Sequence, residues 1–165
     1  AQIVHPADQK RMVAAGIIPS IQPTHATSDM YWADQRLGAE RMKYAYSAQS
    51  FLKLGAKLPL GTDFPVEAIN PLFTLRSAYL RQDADGYPPK GFRAEEALSF
   101  EEAIRGMTEW GAYASFEETK KGTLEAGKYA DFVIFDKDLS TLSAQEMSSL
   151  EVQATYLNGQ EVYRK

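Results

Sequence analysis

Cysteine is absent from the 165 residues of this chain, and histidine occurs twice. The absence of cysteine excludes disulfides, thiolate zinc sites and cysteine nucleophiles, and it leaves the redox compartment open. No apolar run approaches the ~18 residues that a membrane-spanning helix needs, so neither a transmembrane helix nor a membrane partner is expected. A net charge of -4 provides no basic surface, so nucleic acid is not an expected partner either.

The remaining composition is that of an ordinary folded protein. Hydrophobic residues make up 44% and charged residues 24% of the chain, which argues against disorder. The length suits one domain, or one core with a small appendage. We expect a cytoplasmic protein, with which this composition is compatible.

Helical and extended patterns alternate in the first third of the chain. Pro6 suits the first position of a helix, and β-branched residues follow Gly16. Pro19 weakens a central-strand assignment there, because proline cannot donate to a ladder. The predicted elements are a helix over residues 6–15, a strand over 17–22, a loop over 26–38 and a helix over 41–54.

A short apolar run then leads to Gly61, Thr62 and the carboxylate of Asp63, in the stretch LPLGTDFPV at residues 58–66. One interpretation is a strand that delivers Asp63 to its C-terminal end, where α/β barrels place their active sites. The alternative is an ordinary turn, because Asp and Gly favour turns and Pro65 cannot continue a ladder. These nine residues leave both interpretations open.

Two later helices have clear start signals. Asn70 is a predicted N-cap followed by proline, and Ser99 with Glu102 forms a predicted capping box. The first of these helices is followed by an irregular polar loop over residues 82–94. The second is expected to continue past a kink at Gly111.

The helical pattern of residues 1–120 gives way to short extended runs in residues 121–165. Asn158-Gly159 between two such runs is the strongest short hairpin signal in the chain. We therefore expect an α/β unit followed by a β unit. The predicted strands of the second unit cover residues 122–126, 129–135, 152–157 and 161–163.

The helix and strand alternation of residues 1–120 favours a parallel α/β architecture. A complete eight-stranded α/β barrel runs to ~250 residues, whereas this segment supplies two credible strands. Any barrel to which the chain belongs is therefore expected to be incomplete in these 165 residues.

Three stretches in this order resemble one family: IIPSIQPTHATSD at residues 17–29, LGTDFPVEAINPL at 60–72 and KGTLEAGKYADFVIFD at 121–136. They are similar to the C-terminal part of metal-dependent hydrolases of the amidohydrolase superfamily. The nearest branch is amidohydrolase family 3, or YtcJ-like. The segment at residues 81–116 also fits that branch, so the resemblance spans nearly the whole chain.

The resemblance implies that residues 1–120 are the last strands and helices of a TIM-like (β/α)8 barrel and residues 121–165 part of a small β-sandwich. It also implies a divalent metal, with zinc expected. The family's Asp after the eighth strand is a metal ligand and moves the proton of the attacking water, and Asp63 matches it. The His after Gln-Pro-Thr is His25, which is expected to face substrate and is not carried over as a ligand. His5 matches no ligand position, and the family's His-x-His pair has no counterpart in this sequence.

Each of these residues also has a plainer interpretation. Asp63 can cap the turn that follows it, and a histidine beside proline is often a solvated loop residue. The aromatic stretch at residues 30–32 either lines a pocket mouth or packs into the core. Glu67 is expected to be a surface charge.

One aspartate and two histidines do not complete a catalytic zinc site, which uses three protein ligands and a water. We therefore predict that the metal belongs to a full-length parent, and that this chain alone binds no catalytic metal and shows no hydrolase activity. In the parent, the metal would activate a water and polarise a carbonyl, while Asp63 acts as base and then acid. The expected substrate is a small-molecule amide or N-acyl compound.

Two hypotheses follow. In the first, the chain is a C-terminal fragment of an amidohydrolase that hydrolyses a C–N bond. In the second, it is a non-catalytic α/β scaffold or interaction module derived from that family. A partial barrel leaves parallel strand edges open, so we also expect the isolated chain to self-associate or rearrange.

Overall fold

Eight α-helices and one three-stranded sheet are found in the described part of the chain. The computed structural model describes residues 1–165 apart from the side chains of Ala144 and Ser148. The chain is therefore mixed α/β. None of the described helices is long and apolar enough to cross a membrane. The helices are α1 (Pro6–Ala14), α2 (Pro23–Asp29), α3 (Ala33–Met42), α4 (Ala48–Lys53), α5 (Pro71–Tyr79), α6 (Phe100–Met107), α7 (Glu109–Ala114) and α8 (Ala144–Ser148), and the strands are β1 (Phe132–Phe135), β2 (Val152–Leu157) and β3 (Gln160–Arg164).

The predicted helix starts at α5 and α6 are confirmed. The Asn70 side chain accepts a hydrogen bond from Leu72 N at 3.0 Å and caps α5. At α6, Ser99 Oγ accepts from Glu102 N at 3.2 Å, while Glu102 Oε2 accepts from Ser99 N at 2.7 Å. Local side-chain chemistry fixes both starts, because it satisfies backbone N–H groups that a helix leaves free.

The predicted helix over residues 41–54 is wrong, because α3 ends at Met42 and α4 begins at Ala48. Long-range contacts break it. Tyr46 N donates to Gln2 O at 2.7 Å, and the Arg93 guanidinium donates to carbonyls at the end of α3, including that of Ala45 at 2.6 Å. The loop predicted over residues 26–38 is also wrong, since α2 and α3 occupy most of it.

The second capped helix breaks earlier than the kink predicted at Gly111. Thr108 lies at φ -126° and ψ -83°, and it separates α6 from α7. Its hydroxyl donates to Ile104 O at 2.8 Å. Such back-bonding by threonine competes with the regular helical pattern and bends helices.

The two predicted strands of the first unit lie side by side and parallel. They meet at a single bridge between Ile21 and Leu60. Ile21 N donates to Pro59 O at 3.2 Å, and Gly61 N donates to Ile21 O at 3.1 Å. The two segments are therefore parallel neighbours, but they do not form a regular ladder.

Proline and a helix together explain why this pairing is so short. Pro19 and Pro59 have no N–H group to donate to a neighbour. Leu60 N donates instead to Gly106 O of α6, at 3.0 Å. The second segment is thus held by a helix as much as by a strand.

The C-terminal sheet is antiparallel, in the order β1-β2-β3. The predicted hairpin is confirmed, because Asn158 and Gly159 join β2 to β3 with φ values of 50° and 75°, as a two-residue type I′ turn requires. The strand predicted over residues 122–126 is wrong, and that stretch consists of bends and irregular backbone that lead into a turn. The strand predicted over residues 129–135 is restricted to β1.

The main core joins α4, α5, α6 and α7 to the segment that precedes Asp63. Phe51 and Leu58 are fully buried there, together with Leu75 of α5 and Ala103 of α6. A smaller cluster of buried side chains around Ala26 packs α2 against α3. These two cores fix α2 and the residue 58–61 segment, whose ends carry the candidate site.

Candidate functional site

The predicted residues His25 and Asp63 lie together in the structure. They follow the parallel bridge between Ile21 and Leu60 by four and three residues, so both emerge at the same edge. His25 Nε2 lies 3.3 Å from Asp63 Oδ2. Neighbouring parallel segments bring their C-terminal ends together in this way.

The environment of the pair differs between its two members. The His25 side chain is 16% exposed, whereas that of Asp63 is 46% exposed. Within the described structure His25 Nε2 is buried and makes no well-aligned hydrogen bond, despite its ion-pair distance to Asp63. A buried polar atom without an aligned partner is costly, so a further hydrogen bond to this nitrogen would be stabilising.

Asp63 sits at the start of a tight turn in a left-handed backbone conformation, with φ 60°. Phe64 N donates to Thr62 Oγ1 at 3.2 Å, and Val66 N donates to Asp63 O at 2.8 Å. Aspartate tolerates this conformation better than most residues with a Cβ. Both interpretations of the LPLGTDFPV stretch are therefore partly right, since Asp63 follows a paired segment and also opens a turn.

His25 is held by the short helix α2, which packs against α5. Pro23 occupies the first helical position, where its missing N–H costs nothing. One turn after Thr24, the Thr27 hydroxyl lies 2.9 Å from Ser77 Oγ of α5 in a buried hydrogen bond. This buried bond connects the C-terminal half of α2 to α5.

Glu67 forms a second contact between this turn and α2, which sequence reasoning missed. Its Oε1 accepts a hydrogen bond from Ser28 Oγ at 2.6 Å. Glu67 is half-buried rather than a free surface charge. The signal in the sequence was the spacing, since Ser28 follows His25 by three residues and Glu67 follows Asp63 by four.

The aromatic stretch at residues 30–32 does not pack into the core, because Tyr31 and Trp32 are exposed. The Tyr31 hydroxyl donates to the Asp83 carboxylate, and its ring stacks on Tyr87 at 6.1 Å between ring centroids. The hydrogen bond to Asp83 raises the pKa of Tyr31 to about 12. These contacts attach the loop over residues 82–94 to the end of α2.

The described side chains include few that could bind a metal together. Among the described side chains, no group of three or more His, Asp or Glu residues could hold a metal ion. His25 and Asp63 provide two suitable donor atoms, one of them buried and without a hydrogen bond. His5 is used elsewhere, because its Nδ1 accepts from Ala7 N at 3.3 Å and caps α1. The pair thus fits part of a zinc site, which needs three protein ligands.

A cavity of about 430 Å³ lies away from this pair, between α4, α6 and α7. Its charged residues are already engaged with each other. Arg105 lies 3.1 Å from Glu101, and Glu102 belongs to the capping box of α6. We therefore assign no function to this cavity.

Comparison with known proteins points to one family. The profile of the Amidohydrolase family matches residues 1–163. The chain is 31% identical over its whole length to YtcJ of Bacillus subtilis, an amidohydrolase by name. It is 39% identical over 99% of its length to the protein LONG AFTER FAR-RED 3 of Arabidopsis thaliana, and 29% identical over 69% to the N-substituted formamide deformylase of Arthrobacter pascens.

The structural comparison agrees. A crystal structure of an uncharacterized metal-dependent hydrolase from Pyrococcus horikoshii superposes with a TM-score of 0.76 and 28% identity. The superposed region covers 87% of this chain and 29% of that protein. The chain likewise spans 31% of YtcJ, 28% of the Arabidopsis protein and 20% of the deformylase.

Proposed function

Because the chain belongs to the amidohydrolase family, we propose that it forms the C-terminal part of a metal-dependent enzyme that hydrolyses a C–N bond in a small-molecule amide. Residues 1–120 would supply the last strands and helices of a (β/α)8 barrel, and residues 121–165 part of a β-sandwich. The observation that carries the proposal is the meeting of His25 and Asp63 beyond the parallel bridge.

Asp63 is the proposed metal ligand and catalytic residue of this chain. Bound zinc would make a water more acidic and polarise the scissile carbonyl. The exposed Asp63 carboxylate would accept a proton from the attacking water and return it to the leaving nitrogen. The turn that begins at Asp63 aims this carboxylate at His25, on the face shared by the two segment ends.

His25 is the proposed substrate-binding residue. Its Nε2 is buried, lacks an aligned hydrogen bond in the described chain and lies 3.3 Å from Asp63 Oδ2. A carbonyl oxygen placed beside it would satisfy this nitrogen, provided that Nε2 carries the proton. The role requires α2 to stay in place, which its buried bond to α5 favours.

The remaining metal ligands would come from residues outside this chain. Asp63 alone does not complete a zinc site with three protein ligands, and the chain spans about a third or less of the relatives it matches. We therefore propose that the 165 residues alone bind no catalytic metal and hydrolyse no amide.

N-substituted formamides are the first substrates to test, because one relative is a deformylase of such compounds. Full-length enzyme containing Asp63 should release amine from them, and Asp63→Asn should lower kcat at least a hundredfold, since general acid–base catalysis contributes about 10²–10⁴-fold. Asp8→Asn serves as the control, because Asp8 pairs with Arg11 on the surface of α1.

Unchanged turnover by the Asp63→Asn enzyme would contradict the assignment of Asp63. Hydrolysis by the 165-residue chain above a metal-free blank, abolished by Asp63→Ala, would contradict its proposed inactivity. If no longer polypeptide with a His-x-His pair contains this sequence, the non-catalytic scaffold is favoured instead.

A further inference from the structure

We propose that Glu67 is a positioning residue, which holds Asp63 opposite His25 through its hydrogen bond with Ser28. This inference deepens the proposed function and rests on it for its catalytic meaning. The geometry on which it depends can be measured without any metal or substrate.

Two rows of residues face each other across this contact. His25 and Ser28 are three residues apart on α2, so they lie on the same face of the helix. Asp63 and Glu67 are four apart in a turn that is closed by hydrogen bonds from Val66 N and Glu67 N to Asp63 O, at 2.8 and 3.4 Å. His25 therefore faces Asp63, and Ser28 faces Glu67.

The two contacts differ in strength. His25 Nε2 and Asp63 Oδ2 lie 3.3 Å apart without an aligned hydrogen bond. Ser28 Oγ and Glu67 Oε1 lie 2.6 Å apart, the distance typical of a charge-assisted O–H to carboxylate bond. The outer contact is thus the better restraint on the turn.

Apolar packing provides little further anchorage for this turn. Phe64, Val66 and Ile69 all have exposed side chains. The direction of the Asp63 carboxylate accordingly depends on the turn backbone and on the Glu67 bond. Small displacements of a catalytic group are costly, because about 1 Å can reduce a rate by two orders of magnitude.

The primary test uses NMR of the metal-free full-length enzyme, with its histidine and aspartate side chains selectively labelled. Wild type should show contacts between the His25 ring and the Asp63 side chain. Glu67→Ala and Ser28→Ala should each remove them and shift the amide signals of Asp63, Phe64 and Val66, and the double variant should do no more than either alone. Glu67→Gln keeps an acceptor oxygen and should restore most of the wild-type pattern.

Glu40→Ala is the matched control. It removes one surface carboxylate from α3, where Glu40 pairs with Lys43. It should leave the His25 and Asp63 signals unchanged. The melting temperature should stay close to that of wild type in every variant, since the Ser28 bond is solvent-exposed. Retention of the His25–Asp63 contacts in Glu67→Ala would overturn the proposal.

A second readout separates this inference from the proposed function. In the full-length enzyme, Glu67→Ala should weaken zinc binding by about tenfold, the lower end of the usual effect of residues that orient a ligand. It should lower kcat more than it changes KM. Loss of zinc in Asp63→Asn with full zinc affinity in Glu67→Ala would refute the positioning role alone. Full zinc affinity in both variants would refute the metal assignment of Asp63 as well.

Discussion

Gly106 is the residue at which α6 touches the segment that leads to Asp63. A Cβ atom at this position would lie 2.5 Å from Leu60 Cγ and 2.9 Å from Leu58 O. Both approaches are shorter than real Cβ contacts allow. The absent side chain is what permits Leu60 N to reach the Gly106 carbonyl at 3.0 Å.

We predict that Gly106→Ala destabilises the chain by about 1–3 kcal/mol, the usual cost of overpacking. Gly111→Ala is the matched control on α7, because its nearest neighbour would be Gly106 O at 3.9 Å. That variant should be neutral, or more stable by up to about 1 kcal/mol, since alanine favours a helix over glycine. Urea unfolding of both variants measures the difference, and equal stability of Gly106→Ala and wild type would contradict the packing argument.

Asp63 and His25 can be identified as candidates from the sequence, but their contact cannot. Each is marked by its own neighbours, a strand-like run before Asp63 and Gln-Pro-Thr before His25. The 3.3 Å approach depends on a pairing of residues 39 positions apart, namely Ile21 with Leu60. Glu67 was expected at the surface for the same reason, because its partner Ser28 is distant in sequence.

The loop over residues 82–94 was predicted to be irregular, which is confirmed, but Asp83 gives it internal order. Asp83 Oδ1 accepts from Asp85 N and Tyr87 N, each at 2.9 Å, and its carboxylate also accepts from the Tyr31 hydroxyl. One carboxylate therefore closes the loop and attaches it to the segment after α2.

We predict that Tyr31 titrates near pH 12, which is above the value of about 10 for a free tyrosine. The absorbance of phenolate at 295 nm, taken as wild type minus Tyr31→Phe, isolates this transition. In an Asp83→Asn background, the midpoint of the same difference titration should fall toward pH 10. A wild-type midpoint near 10 would show that the Tyr31–Asp83 bond does not form in solution.

The pKa of Asp83 determines how the same loop responds to acid. Burial alone would raise the pKa of Asp83, but hydrogen bonds from Tyr31 and the backbone outweigh it and hold the pKa below its ordinary value. A lowered folded pKa means that ionised Asp83 stabilises the loop above about pH 4, and that this stabilisation is lost as the pH falls through the folded pKa.

The NMR signals of the Tyr87 ring should therefore show a loss of its stacking on Tyr31 below pH 4 in the wild type. In Asp83→Asn that environment should already be weakened at pH 7, with no further acid transition. An identical acid profile in both proteins would contradict the role of Asp83.

For helices and strands, the structure agrees with the sequence-based prediction wherever nearby residues determine the element. The caps at Asn70 and Ser99 and the Asn158-Gly159 turn depend on residues within four positions of each other. The break between α3 and α4 depends on Gln2 and Arg93, which lie more than 40 positions away. Helical periodicity continues through that break, so the sequence pattern alone predicts one helix.

For the molecule as a whole, large apolar side chains stand at the surface. Ile17 beside the parallel bridge, Phe116 after α7 and Leu124 before β1 are all more than half exposed, at 53%, 83% and 74%. Together with the open parallel pairing at Ile21 and Leu60, these side chains favour association of the isolated chain.

We predict that the 165-residue chain self-associates at micromolar concentration. Light scattering coupled to size exclusion should give a mass above 18.4 kDa that increases with concentration. A single monomeric mass at every concentration would contradict this expectation. It would also show that the open parallel pairing at Ile21 and Leu60 is tolerated in solution.

We propose above that Asp63 belongs to a metal site which these 165 residues do not complete. Elemental analysis of zinc tests it directly, with intact mass confirmed on each sample. We expect far less than one zinc per 165-residue chain, about one or more per full-length enzyme, and a marked loss in full-length Asp63→Asn. Near-stoichiometric zinc in the 165-residue chain, or wild-type zinc content in Asp63→Asn, would contradict this proposal.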